Sequence, residues 1–255
     1  MVQVNMKLTG QVAVITGSTK GIGYGIASAL GAEGANIVVT GRKQEDCYRA
    51  AEEIQAKYGV KVLAQAADLA NYQDIDHLVN KILSTFGRID ILVNNAGTAI
   101  TKRAEDITAE EWDQVLNVNL KGAFFCAQAC GREMIRRKYG KIINVASILG
   151  LVAAKQVLPY CVAKGGMIQM TKALALEWAR YNIRVNALCP GYVRTTLNEA
   201  QLKQEKVCKR IVSRIPLGRL GEINDLVGAS VFLASQASDY MTGQVITVDG
   251  GWTAE

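Results

Sequence analysis

Short apolar runs rich in β-branched residues alternate with helical periodicity along the whole chain, and this alternation constrains the fold most. Val12-Ala-Val-Ile15, Ile37-Val-Val39 and Ile91-Leu-Val93 are nearly continuous apolar strands. A sheet covered on both faces needs such runs, whereas a sheet with one wet face shows period-two alternation. The pattern places strands at 11–16, 36–40, 61–66, 89–93, 141–145, 184–188 and 244–248. Helices are expected at 21–34, 44–57, around His77, at about 110–138, at 160–181 and at 224–235. Strand–helix–strand units connect right-handedly and build parallel sheets. The expectation is one α/β domain over residues 1–255, a doubly wound parallel sheet of about seven strands with helices on both faces. Ligands of such a sheet bind at the carboxyl ends of its strands. Residues 195–219 break the alternation and read as a helical excursion over that same edge, a lid extending over about 192–219.

Composition removes several classes of function. At 255 residues, with 49% hydrophobic and 20% charged, the chain is too apolar to be disordered and carries no low-complexity block. It has no run of 18 apolar residues, and residues 1–10 lack a signal-like apolar core. A cytoplasmic protein is therefore expected. The net charge of +6 includes two basic clusters, Arg132, Arg136, Arg137, Lys138, Lys141 and Lys203, Lys206, Lys209, Arg210. Apolar residues interrupt both at helical spacing, so they read as solvated helix faces rather than a nucleic-acid footprint. The six cysteines form no CxxC pair and are expected as reduced thiols. The single histidine, His77, falls off the apolar stripe of Ile75, Leu78, Val79 and Ile82. With no second histidine, neither a Ser-His-Asp triad nor a common zinc site can be assembled, and no metal site is expected.

The first strand runs into Gly17-Ser18-Thr19-Lys20-Gly21-Ile22-Gly23, which then opens a helix. Glycines at 17, 21 and 23 permit a tight turn, close approach of backbone N–H groups to phosphate, and close helix–strand packing. The positive end of the helix faces the same spot. A nucleotide's pyrophosphate is the ligand that this junction predicts.

The spacing Gly-x3-Gly-x-Gly resembles that of the short-chain dehydrogenase/reductase family, and the resemblance extends over essentially the whole chain. Asn94-Asn95-Ala96-Gly97, Asn119, Ser147, Tyr160-x-x-x-Lys164, Pro190-Gly191-Tyr192-Val193-Arg194-Thr195 and Asp249-Gly250-Gly251 match the family's further signatures in order. The resemblance implies a nicotinamide cofactor. Asp68 and Leu69 would border the adenine, Asn94, Ala96 and Gly97 the ribose side, and Pro190, Gly191, Val193 and Thr195 the carboxamide and phosphate. The second strand ends Thr40-Gly41-Arg42-Lys43 with no carboxylate, where an NAD-preferring site usually has one. Arg42 can fork onto a 2′-phosphate, Lys20 adds a second cation, and NADP is the expected cofactor, with NAD the weaker alternative.

Reduction of a ketone by hydride leaves charge on oxygen, which must take up a proton. The resemblance makes Tyr160 the acid, Ser147 a hydrogen-bond donor to the substrate oxygen, Lys164 the cation beside the phenol, and Asn119 the holder of a relay water. Tyr160 and Lys164 lie four residues apart, on one helix face. A free phenol titrates near 10, and the ammonium is expected to lower it. Cys161, directly after the tyrosine, departs from the small residue more usual there. Substrate specificity is assigned to residues 99–103, 148–157 and 192–215, where Ile148, Leu149, Leu151, Val157 and Leu197 mix with Lys155, Gln156 and Arg194. The first reading is a 3-oxoacyl thioester or other small carbonyl compound. Glu177-Trp178-Ala179 with Pro190-Gly191-Tyr192 resembles members acting on sugar acids such as gluconate, which is the alternative beside steroids and bile acids. A non-catalytic dinucleotide-binding protein is the remaining reading. In the family the two long helices pair across a two-fold axis, often giving tetramers. Phe124, Phe125, Met134, Met167, Met170 and Trp178 are the side chains considered for that surface, and a homo-oligomer is expected.

Overall fold

The computed structural model describes residues 5–195 and 198–254; Leu197, assigned above to the substrate pocket, lies outside them. Its strands are β1 (Val12–Ile15), β2 (Asn36–Gly41), β3 (Val62–Ala66), β4 (Ile91–Asn94), β5 (Gly140–Val145), β6 (Ile183–Pro190) and β7 (Val245–Val248). They form one parallel sheet in the order β3-β2-β1-β4-β5-β6-β7. Its pleat divides the core in two. Val12, Val14, Val38, Leu92 and Ile142 face one side, while Ala13, Ile15, Ile37, Val39, Ile91, Val93 and Ile143 face the other. Both sets are fully buried because successive side chains of a strand point to opposite faces, which is why the runs need no polar alternation.

The main helices are α1 (Gly21–Ala32), α2 (Gln44–Tyr58), α3 (Tyr72–Phe86), α4 (Ala109–Leu116), α5 (Ala123–Arg137), α6 (Leu158–Trp178), α7 (Glu199–Leu202), α8 (Glu205–Val212) and α9 (Ile223–Ala234). Local chemistry sets their ends. Asn71 caps α3 by accepting from the Gln73 N–H, and a Thr108–Glu111 capping box starts α4. Pro159 stands in the first turn of α6, where its missing N–H costs nothing. One expectation is corrected. The helix foreseen at about 110–138 is α4 and α5 joined by a π turn, Asn117–Gly122. A π turn leaves the i to i−4 ladder, a break that periodicity does not reveal.

Of the side chains considered for a partner surface most belong to the core, while Leu176 of α6 is 83% exposed. Met134 and Met167 are fully buried and Trp178 is nearly so, while Phe124, Phe125 and Met170 pack against the core. His77 is exposed. Among the described residues no helix is long and apolar enough to cross a membrane.

Candidate active site

The strand order reverses at β1, with β2 on one side and β4 on the other, so the loops after β1 and β4 diverge and open a crevice. A cleft of about 1040 Å³ runs from Arg42 through the glycine loop to Ser147, Tyr160, Lys164 and Asn198.

Its floor is the glycine loop. Gly17 has φ +63°, and a Cβ there would come within 2.9 Å of the Ala96 Cα; a Cβ on Gly23 would meet Asn95 Nδ2 and Gly17 O at 2.4 Å. Asn95 holds the loop in place, its Nδ2 donating to Thr16 O at 2.8 Å and Gly17 O at 3.1 Å. The Thr16 hydroxyl accepts from the Asn95 and Ala96 N–H groups. Helix α1 then begins at Lys20 with no side-chain cap and no acidic residue in its first turn. Its leading N–H groups are left for an anion in the cleft. Lys20, Arg42 and Lys43 line the same end and, among the described residues, form no ion pair; Asp46, which lines the cleft beside them, pairs with Arg49. Backbone packed too tightly for a Cβ, uncapped N–H groups and three unneutralised cations fit a dinucleotide carrying an extra phosphate. Asp68 and Leu69 line the next stretch, with Asp68 Oδ1 accepting from the Ala70 N–H.

Three residues assigned to the site have side chains turned away from the cleft. Ser18 is fully buried, donating to Ile15 O at 2.6 Å and accepting from the Thr40 N–H, so it braces β1 against β2. Asn94 points inward, its Nδ2 donating to Ala123 O and to Asn144 Oδ1 at 2.9 Å, while Asn144 continues to Thr171. Asn119 lies in the π turn. Its Nδ2 donates to Thr98 O and Val115 O, both at 2.8 Å, and its Oδ1 accepts from the Thr98 N–H. With its amide so committed, the side chain of Asn119 sets the loop after β4 and is not the part that would meet a relay water. Asn119 uses both ends of its amide, whereas Asn94 Oδ1 is buried without a partner among the described residues; the bonds these buried amides do make are costly to lose and fix the frame that carries the site.

The reactive end is built by β5 and α6. Ser147 follows β5 and accepts from the Leu149 N–H at 3.1 Å; Tyr160 and Lys164 stand one turn apart at the start of α6. Lys164 is 3% exposed, donates to Val145 O at 2.7 Å, and is pulled down to about 8 by burial. Burial pushes the Tyr160 phenol up to about 12, and the Ser147 hydroxyl, which favours the phenolate, offsets only part of that. The expected lowering by Lys164 is absent from the chain alone. The ammonium lies over the face of the ring, 5.6 Å from its centre, and both groups share one dry wall. Cys189, fully buried beneath Ser147, is pushed up to about 11 by burial. In the chain alone, burial therefore favours the neutral phenol of Tyr160.

Sequence reasoning missed Lys43, Thr98, Gln114, Asn117 and Asn198, all of which line the cleft. Lys43 adjoins Arg42 and was within reach; Gln114 in α4 and Asn117 at the start of the π turn line the cleft from a helix that carries no local signature of a site. At the mouth, Lys102 donates its backbone N–H to Gln156 O at 2.8 Å, joining the loops after β4 and β5. Gln156 takes φ +67° to present that carbonyl, and the Lys102 ammonium turns away to Glu111.

Residues 17–253 match the family described as enoyl-(acyl carrier protein) reductase. The chain belongs to the short-chain dehydrogenase/reductase family, and it is an NAD(P)-dependent oxidoreductase acting on CH–OH groups. Within that family it is 41% identical over 248 residues, 97% of each chain, to 2-dehydro-3-deoxy-D-gluconate 5-dehydrogenase of Escherichia coli (strain K12). It is 37% identical to the 3-oxoacyl-(acyl-carrier-protein) reductase of Aquifex aeolicus (strain VF5), over 96% of this chain and 98% of the other. Among solved structures it is similar to a gluconate 5-dehydrogenase from Burkholderia cenocepacia J2315 in complex with NADP and tartrate. That match has a TM-score of 0.95 and 38% identity, and it covers 98% of both chains.

Proposed function

We propose that the protein interconverts a ketone and a secondary alcohol on a sugar acid of the gluconate type, with NADP(H) as cofactor. The observation that carries the reading is the placement of Ser147, Tyr160 and Lys164 in one wall of the cleft whose other end holds Lys20, Arg42 and Lys43. A cofactor bound along that cleft supplies or accepts the hydride. Arg42 and Lys43 hold its 2′-phosphate, the N–H groups of α1 its pyrophosphate, and Lys164 its nicotinamide ribose. Tyr160 gives its proton to the carbonyl oxygen during reduction, while Ser147 orients that oxygen. In the reverse direction the positive charge of the oxidised ring eases ionisation of Tyr160. Asn119 acts as a positioning residue through Thr98.

The similarity to sugar-acid dehydrogenases favours a sugar acid over the 3-oxoacyl thioester, the first reading of the sequence. Oxidation of NADPH, followed at its absorbance band, tests this with 5-keto-D-gluconate and an acetoacetyl thioester side by side. A higher kcat/KM for the keto acid is expected; a higher value for the thioester overturns the substrate assignment, and turnover of neither overturns the reading.

A further inference from the structure

Residues 219–225, the return from the excursion into α9, connect the segment after β6 with helix α1. Gly221 donates its N–H to Tyr192 O at 2.9 Å and accepts from the Arg194 N–H at 3.1 Å, an isolated parallel bridge to Val193. Further on, Ile223 lies against α1, where a Cβ on Gly25 would overlap its side chain. One ion pair shapes the chain between these two contacts. Arg219 gives both Nη groups to Asp225, at 2.7 and 2.8 Å, and one of them also reaches Leu220 O. The Glu222 N–H donates to the same carboxylate at 2.8 Å. Asp225 thus ties Arg219 and Glu222 into one turn around Gly221.

The segment that Gly221 holds bounds the reacting end. Val193 and Thr195 line the cleft together with Ser147, Tyr160 and Lys164, because they follow β6 and β6 lies beside β5. Asn198 clasps the segment, accepting from the Thr195 N–H at 3.0 Å and donating to Val193 O at 2.8 Å. The same stretch also borders a second cavity of about 160 Å³, which Gly191, Tyr192 and Val193 share with Arg219, Asp225 and Asp249. Backbone that borders two voids has lost packing neighbours, so its hydrogen bonds do more to place it.

From this arrangement we infer that Arg219 and Asp225 are positioning residues for the nicotinamide end of the cofactor. Their ion pair sets Gly221, and through it Val193 and Thr195, against α1. The inference rests on the NADP(H) reading and adds the residues that fix one end of that cofactor's site relative to the other. Neither side chain lines the cleft, so the pair acts through the backbone it holds. A bidentate guanidinium–carboxylate pair is directional, which suits it to fixing a turn.

Binding of the whole cofactor, compared with binding of its adenosine half, tests this without requiring turnover. Adenosine 2′,5′-bisphosphate needs only the end with Lys20, Arg42, Lys43 and α1, whose glycine loop Ser18 and Asn95 brace without residues 219–225. Arg219→Gln and Asp225→Asn are each expected to weaken NADPH about ten-fold and to change the emission of its bound dihydronicotinamide, while the bisphosphate stays within about two-fold. The double variant should lose no more than either single one, because each already breaks the same pair. Arg219→Lys should fall between, since it keeps the charge and loses the fork. NADPH affinity and emission unchanged in both single variants overturn the proposal. So do losses that multiply in the double variant, or a bisphosphate affinity that falls in step with that for NADPH. If the charge variants do not fold, Gly221→Ala decides, because its Cβ would stand 3.0 Å from Val193 Cγ2 and crowd it with the ion pair intact. The same selective loss there supports the proposal, and parental NADPH binding overturns it. Failure of the parent protein to bind the bisphosphate counts separately, against the NADP(H) reading.

Discussion

The Lys164 ammonium lies over the ring of Tyr160, 5.6 Å from its centre, and gives its 2.7 Å hydrogen bond to the Val145 carbonyl. The pair is therefore a half-buried phenol beside a buried cation, each shifted by loss of water toward its neutral form. Under the proposed mechanism the charge that would make the phenol a base arrives with the cofactor, which would couple proton chemistry to cofactor binding.

Replacing Tyr160 with Phe removes the acid and leaves the cleft's shape. The kcat should fall by about two to four orders of magnitude, the usual worth of a positioned acid. NADPH affinity, read by fluorescence titration, should stay within a few-fold. Near-normal turnover by this variant would exclude Tyr160 as the acid.

Lys164 carries a stability cost whose pH dependence has a definite sign. Its amine titrates at about 8 in the fold against 10.5 when free. Below pH 8 both states hold the proton and the folded state bears the full cost. Between 8 and 10.5 the unfolded chain keeps a proton that the fold has released, so stability rises with pH. Lys164→Met should therefore stabilise the cofactor-free protein by up to about 3 kcal/mol below pH 8, with the gain vanishing toward pH 10.5. Urea unfolding at pH 7 and pH 10 checks this, and a gain that grows with pH contradicts it. The same variant should be inactive, the usual opposition of function and stability.

Arg42→Asp replaces a phosphate-binding fork with a carboxylate suited to ribose hydroxyls. The NADP/NAD ratio of kcat/KM should fall by at least about ten-fold, since a hydrogen bond to a charged group is worth about 1.5–3 kcal/mol. An unchanged ratio would remove Arg42 from the cofactor site.

Gly23→Ala forces a Cβ to within 2.4 Å of Gly17 O and Asn95 Nδ2. The first is backbone and the second is tied to Thr16, so neither yields cheaply. A loss of about 1–3 kcal/mol in thermal or urea stability is expected, with weaker NADPH binding as the glycine loop moves. Unaltered stability and NADPH affinity would show that the contact is not tight.

The strands, the helices and the chemistry-bearing residues were legible in the sequence because each rests on local pattern. Continuous apolar runs mean two-sided burial, glycines after β1 mean a phosphate turn, and four-residue spacing puts Tyr160 and Lys164 on one face. The absence of a carboxylate after Val39 and the presence of Arg42 were equally plain. What local pattern cannot convey is the direction in which a polar side chain turns. Ser18, Asn94 and Asn119 occupy signature positions, yet their side chains bond inward to Thr40, Asn144 and Thr98. Gln114 and Asn117 line the cleft from α4 and the π turn after it, a meeting with the sheet's edge that only the packed chain shows.

By itself the sequence determined the class of fold, since periodicity acts within a few residues, and its resemblance to the family named the candidate nucleotide turn and the candidate reacting groups. Tertiary structure alone decided which groups lose their water, and therefore which way Tyr160 and Lys164 shift. Desolvation and charge pairing depend on segments far apart in the chain meeting in one wall, and no reading along the chain contains those meetings.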